Sequence, residues 1–149
     1  MWIPFEDTFK LGTPAIGGVE NENYLNAEEH VMYKMNNLMT SHSVLALFAR
    51  LLLHNDIFPQ TAYELVGFTG FGHGSIYPIL CQPYIPRATY ASHGEILDYM
   101  ESLGFKQCGE AAFTNGKIVI SDLRPRNVLK SISNAIYVVD AEYRNVTAI

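Results

Sequence analysis

The chain has 149 residues, 48% hydrophobic and 17% charged, with ten basic against fifteen acidic side chains and a net charge of −5. A chain of this size buries roughly 70% of the surface its unfolded form exposes, so one domain with one core is expected, without a disulfide or metal staple. The apolar content excludes a disordered chain, and the acidic balance argues against a general binder of nucleic acid or anionic membrane, which needs a cationic face. Cys81 and Cys108 belong to no CxxC pair and read as two reduced thiols of a cytoplasmic protein. Residues 1–7 have neither the basic start nor the apolar run of a signal peptide, and the greasy stretch 44–53, broken by Arg50, is too short to span a bilayer.

Short strands are expected first. Residues 8–12 form a weak one, 14–18 a turn freed by Gly17 and Gly18, and 19–25 a second strand. After a turn at 26–29, residues 30–35 alternate, with Val31, Tyr33 and Met35 on one face and Met32 and Lys34 on the other. A helix follows, capped by Ser41 or Ser43 and stopped by Pro59. Its apolar stripe of Val44, Leu45, Leu47, Phe48, Leu51 and Leu52 is broad enough to predict more than one neighbour. Residues 63–71 and 75–85 read as strands joined by a turn at 72–74. Pro78 and Pro83, which cannot donate to a ladder, place the second at an edge or leaving the sheet.

Ser92 and Glu95 have capping-box spacing, the stripe Ile96, Leu97, Met100 and Leu103 follows, and Gly104 supplies the stop. Asn115-Gly116 between residues 111–114 and 117–120 is the signature of a two-residue hairpin loop. Residues 127–130 and 136–139 flank a polar turn and give a last hairpin. Strands without regular βαβ alternation predict an α+β fold with a mostly antiparallel sheet.

The chemistry-bearing segment is Ser121-Asp122-Leu123-Arg124-Pro125-Arg126-Asn127-Val128-Leu129. Asp122 and Asn127 stand five residues apart in a loop entering a strand, and eighteen residues after Asp122 comes Asp140, at the end of the apolar strand Ile136-Tyr137-Val138-Val139. These are hard oxygen donors, suited to Mg²⁺ together with substrate phosphates. His54, His73 and His93 have no ligand spacing.

The order of a glycine turn, a strand lysine in Val31-Met32-Tyr33-Lys34, a helix, Ile79-Leu80-Cys81-Gln82-Pro83-Tyr84, then Asp122-x4-Asn127, a hairpin and Asp140 resembles the protein kinases. More closely, residues 5–143 resemble the small kinase-like domains of bacterial polyvalent proteins on mobile elements. Gly17-Gly18-Val19-Glu20-Asn21-Glu22, Tyr63-Glu64-Leu65-Val66-Gly67-Phe68-Thr69 and the Asp122 segment carry that likeness.

The resemblance implies a minimal two-lobed fold in a single domain, 1–149. It has an N-lobe at about 1–82 with an antiparallel sheet and one helix, a hinge at about 82–90 and a truncated C-lobe at about 91–149. It implies an ATP- and Mg²⁺-dependent phosphotransferase acting on a protein or small-molecule hydroxyl. Asp122 is then the base and Asn127 and Asp140 are the metal ligands. Lys34, Gly17 and Gly18 take the phosphates, backbone groups of Gln82 and Tyr84 take the adenine edge, and Arg124 and Arg126 meet γ-phosphate charge or an acidic acceptor.

Three positions depart from the kinase pattern: Ile120-Ser121 precede Asp122 where His-Arg is usual, Ala141-Glu142 follow Asp140 where Phe-Gly is usual, and residues 41–58 contain no glutamate to pair with the lysine. Lys34 is therefore expected to use another acid, such as Glu20, Glu22 or Glu64. These departures, and a chain that stops nine residues after Asp140, are the basis of the alternative: a kinase-like module that binds nucleotide or a protein without turnover.

Overall fold

The alternating residues of the first third pair into an antiparallel sheet, and every later sheet is antiparallel too, giving an α+β chain. The computed structural model describes residues 1–18, 20–70 and 74–146. They group into two compact units, Met1–Asn55 with Ala62–Tyr84 and Asp56–Thr61 with Ile85–Ile149. Each has its own hydrophobic cluster in place of the single core expected from length.

In the first unit, β1 (Thr13–Ala15), β2 (Asn21–Asn26), β3 (Val31–Asn36), β4 (Glu64–Thr69) and β5 (Tyr77–Pro83) form one sheet in the order β1-β2-β3-β5-β4. Lys34 lies opposite Asn23 on one side and Leu80 on the other. Residues directly opposite in an antiparallel pair share a face. That face is covered by helix α1 (Val44–Ile57), whose Leu47 clusters with Leu80 and Tyr63. Ser43 caps α1, its Oγ accepting from the Ala46 N–H at 3.0 Å. Asn55 fastens the other end, donating to the Tyr63 carbonyl at 2.9 Å and accepting from the Tyr63 N–H at 2.7 Å.

Four local expectations are corrected here. Residues 8–12 are not a strand, because Phe5–Leu11 coil into a 3-10 turn with Thr8 Oγ1 donating to the Phe5 carbonyl. The expected turn at 14–18 begins later, since Thr13–Ala15 pair with β2 as an edge strand where Pro14 is tolerated. β5 is interior: Pro83 ends its ladder with β3 and Pro78 precedes the first pair of that ladder, so neither interrupts it. The stripe of α1 is only partly covered, with Leu45 and Leu52 81% and 70% exposed. The turn expected at 72–74 lies outside the described residues except for Gly74.

In the second unit, β6 (Thr89–Tyr90) leads into helix α2 (His93–Ser102). Both halves of its capping box are formed by Ser92 and Glu95, and Gly104 follows the helix with φ +88°. Strands β7 (Lys106–Gly109), β8 (Ala112–Thr114), β9 (Ile118–Ser121) and β12 (Glu142–Asn145) make a sheet ordered β12-β9-β8-β7. A smaller sheet, β11-β10-β6, uses β10 (Val128–Lys130) and β11 (Ile136–Val138). Between these elements lies a core of Phe58, Ile96, Met100, Phe113, Ile120, Leu123, Val128 and Val138. The Asn115-Gly116 hairpin is present, but its last pair is Thr114 with Val119. The loop is longer than two residues because the Asn115 side chain accepts the N–H groups of Lys117 and Ile118.

Candidate active site

Strand β9 ends at Ser121, opposite Glu142 of β12. Asp122 therefore follows one strand at the sheet end where Asp140 and Ala141 approach the other. Asp122 adopts φ +59°, a left-handed conformation that aspartate tolerates better than most residues. The chain then turns tightly, with the Arg124 N–H on the Asp122 carbonyl and a 3-10 turn, Pro125–Asn127, opened by proline.

Asn127, 9% exposed, is the centre of the arrangement. Its Nδ2 donates to the Asp122 carbonyl at 2.7 Å and to Asp122 Oδ2 at 2.9 Å. Its own carbonyl accepts the Val139 N–H at 2.9 Å and the Asp140 N–H at 3.4 Å. One residue thus locks the Asp122 loop to the end of the strand carrying Asp140. Asp140 Oδ1 in turn accepts the Ala141 N–H at 2.9 Å. Of the sequence-predicted trio, Asn127 contacts Asp122 through its amide and the Asp140 backbone through its carbonyl.

Two arginines stand on the Asp122 carboxylate. Arg126 Nη2 lies 2.9 Å from Oδ1 and 3.3 Å from Oδ2, and Arg124 Nε lies 3.2 Å from Oδ1. Arg124 also reaches Glu110 at 3.3 Å.

The remaining predicted residues belong to the first unit. Lys34 is 7% exposed; its Nζ donates to Tyr63 Oη at 3.2 Å and lies 5.1 Å from the centre of that ring. Tyr63 packs edge-on against the buried His54 of α1. Of the acids expected to serve Lys34, Glu20 pairs with Arg50 at 2.8 Å, Glu22 accepts from Tyr24 Oη, and Glu64 meets the Cys81 thiol at 3.8 Å. Burial first, and then the Glu64 carboxylate, push that thiol above its ordinary pKa. Cys81 and Cys108 are both free.

Gly17 and Gly18 lie in the β1–β2 connection. A Cβ on Gly17 would stand 2.3 Å from the Asn21 carbonyl oxygen, whereas one on Gly18 would meet nothing within 4 Å. Asn23, opposite Lys34, donates to the Ile16 carbonyl at 3.1 Å and so holds this turn over the sheet. At the other end of the sheet, the Tyr84 N–H donates to the His30 carbonyl. Ladder alternation then turns the backbone groups of Gln82, opposite Met32, toward β3 as well. Sequence reasoning missed Tyr63 and the Glu20–Arg50 pair, although a lone arginine inside an apolar helix was a visible signal.

The donor chemistry fits Mg²⁺. Both hydrogens of the Asn127 amide face Asp122, which leaves Oδ1 as the acceptor the side chain offers elsewhere. Among the described residues no group of three or more His, Cys, Asp or Glu side chains converges as a metal cage. Mg²⁺ in phosphate chemistry needs none, since it takes one or two protein carboxylates and completes its shell with phosphate oxygens and water. No helix among the described residues is long and apolar enough to cross a membrane.

No curated protein and no solved structure matches this chain. The family model described as the serine/threonine/tyrosine kinase found in polyvalent proteins matches residues 1–146. With nearly its whole length matched by this model, the chain belongs to the family of kinases found in polyvalent proteins.

Proposed function

We propose that the protein is an ATP- and Mg²⁺-dependent phosphotransferase acting on a hydroxyl acceptor, organised as one domain of an N-lobe, a hinge and a reduced C-lobe. The observation that carries this reading is the double role of Asn127, whose amide holds Asp122 while its carbonyl holds the backbone of Val139 and Asp140.

In this reading Asp122 orients the acceptor hydroxyl and takes its proton. The hydroxyl oxygen bonds to the γ-phosphorus as the bond to the β–γ bridging oxygen breaks, and ADP leaves with that electron pair. Asn127 Oδ1 and Asp140 would hold Mg²⁺, which supplies charge neutralisation on the phosphates. Lys34 and the Gly17–Gly18 turn take phosphate oxygens. Arg124 and Arg126 release the Asp122 carboxylate to the acceptor and turn to the negative charge that gathers there.

A second reading, a nucleotide-binding module without turnover, has its own support. The Asp122 carboxylate is held by three side chains, and Glu142, where kinases carry glycine, is fixed in β12 opposite Ser121.

One experiment separates the two. Incubation with γ-labelled ATP and Mg²⁺, using generic protein and small-molecule hydroxyl acceptors, should yield labelled product. Asp122→Ala should abolish the label while Mg²⁺·ADP still raises the melting temperature. Nucleotide binding with no transfer by the wild type supports the second reading, and neither binding nor transfer refutes both.

A further inference from the structure

Helix α1 contains no glutamate, and the charged residue in its middle is Arg50. Arg50 Nη2 lies 2.8 Å from Glu20 Oε1, with the two side chains only 13% and 11% exposed. Glu20 stands two residues beyond Gly18, and its carbonyl accepts the N–H of Asn37, just past the end of β3. Its second oxygen, Oε2, is buried with no hydrogen-bond partner. A buried ion pair is a poor source of stability, because desolvating both charges offsets most of their attraction. An unmatched carboxylate oxygen adds a further cost. What the pair does provide is a short, directional link between helix α1 and the residue just before β2, two positions past Gly18.

We propose that Arg50 and Glu20 form a positioning pair that ties the Gly17–Gly18 turn to α1, so that the position of the helix sets the grip of the turn on nucleotide phosphates. The polarity is the reverse of the kinase lysine–glutamate pair, with the base on the helix and the acid beside the sheet. The inference rests on the reading of Gly17, Gly18 and Lys34 as phosphate-binding. Neither member of the pair touches the nucleotide; both act through the turn.

The test uses the full chain carrying Glu20→Leu together with Arg50→Met. This exchanges the pair for apolar side chains without leaving a lone buried charge. Thermal unfolding reports the fold, and calorimetric titration with Mg²⁺·ADP reports affinity on the same samples. Hydrogen exchange over residues 16–20 reports the turn. The melting temperature should stay near that of the wild type, while affinity weakens about tenfold, the size of a typical coupling between interacting residues, and exchange in the turn accelerates. Arg50→Lys, which keeps the charge but loses the planar fork, should fall between the two. Unchanged affinity and unchanged exchange in a folded double variant overturn the proposal. If the wild type itself binds no Mg²⁺·ADP, the phosphate reading fails, and the exchange comparison still decides whether the pair tethers the turn.

Discussion

Replacing Asn127 separates the roles of its two amide atoms. Asn127→Ala removes one hydrogen bond to a carbonyl and one to a carboxylate, at 2.7 Å and 2.9 Å. A neutral bond contributes roughly 0.5–1.5 kcal/mol and one to a charged group roughly 1.5–3. The loss is therefore about 2–4.5 kcal/mol, a fall of roughly 4–18 °C in melting temperature for a chain of this size. Asn127→Asp keeps the shape but turns an oxygen toward the two Asp122 oxygens. It loses the same bonds and adds like-charge repulsion, so at neutral pH it should be at least as damaging as Ala. Thermal unfolding of the three proteins at neutral pH is the assay. An Asn127→Asp protein as stable as the wild type at neutral pH would mean that the amide oxygen, not the nitrogen, faces Asp122, and the reasoning would fail.

Further outcomes follow from single contacts. Ser92→Ala breaks the capping box of α2 and should cost about 1 kcal/mol, read as faster hydrogen exchange in the first turn of that helix; unchanged exchange would contradict it. Gly17→Ala should lower the melting temperature markedly, because its Cβ would overlap the Asn21 carbonyl, whereas Gly18→Ala should not; equal effects would refute the close-approach account. The Tyr33 hydroxyl, donating to Glu29 at 2.7 Å, has its pKa pushed up to about 12, chiefly by that hydrogen bond. A group raised in the folded state stabilises it fully below the unfolded value, near 10, and the contribution is lost as the pH rises from about 10 to about 12. Ultraviolet titration should show the late-ionising tyrosine absorbance reduced by one residue's worth in Glu29→Gln, and an unaltered curve would refute the assignment.

Local signals in the chain were informative where one residue type had one use. Ser92 with Glu95 marked the start of α2, Pro59 the end of α1, and the spacing of Asp122, Asn127 and Asp140 marked a group that Asn127 links through its amide and its carbonyl. Strands β7 and β12 were not legible because they are mostly exposed and polar and acquire strand form only through pairing with β8 and β9. The interior position of β5 was hidden by its prolines. These weaken a strand only where a ladder bond is needed, and register decides that. The surroundings of Lys34 were hidden for a similar reason. Tyr63, held by Asn55 at the end of α1, reaches its ammonium in a contact that no local pattern encodes, while the expected acid Glu20 is engaged by Arg50.

In the proposed mechanism Asn127 and Asp140 together present a divalent cation to nucleotide phosphates, and paramagnetic resonance titration of Mn²⁺, standing in for Mg²⁺ in the presence of ADP, measures this. The wild type should bind Mn²⁺ in a nucleotide-dependent manner, and Asp140→Ala should weaken that binding by at least an order of magnitude while the protein stays folded. Identical Mn²⁺ affinity in the two proteins, or binding indifferent to ADP, would contradict the account.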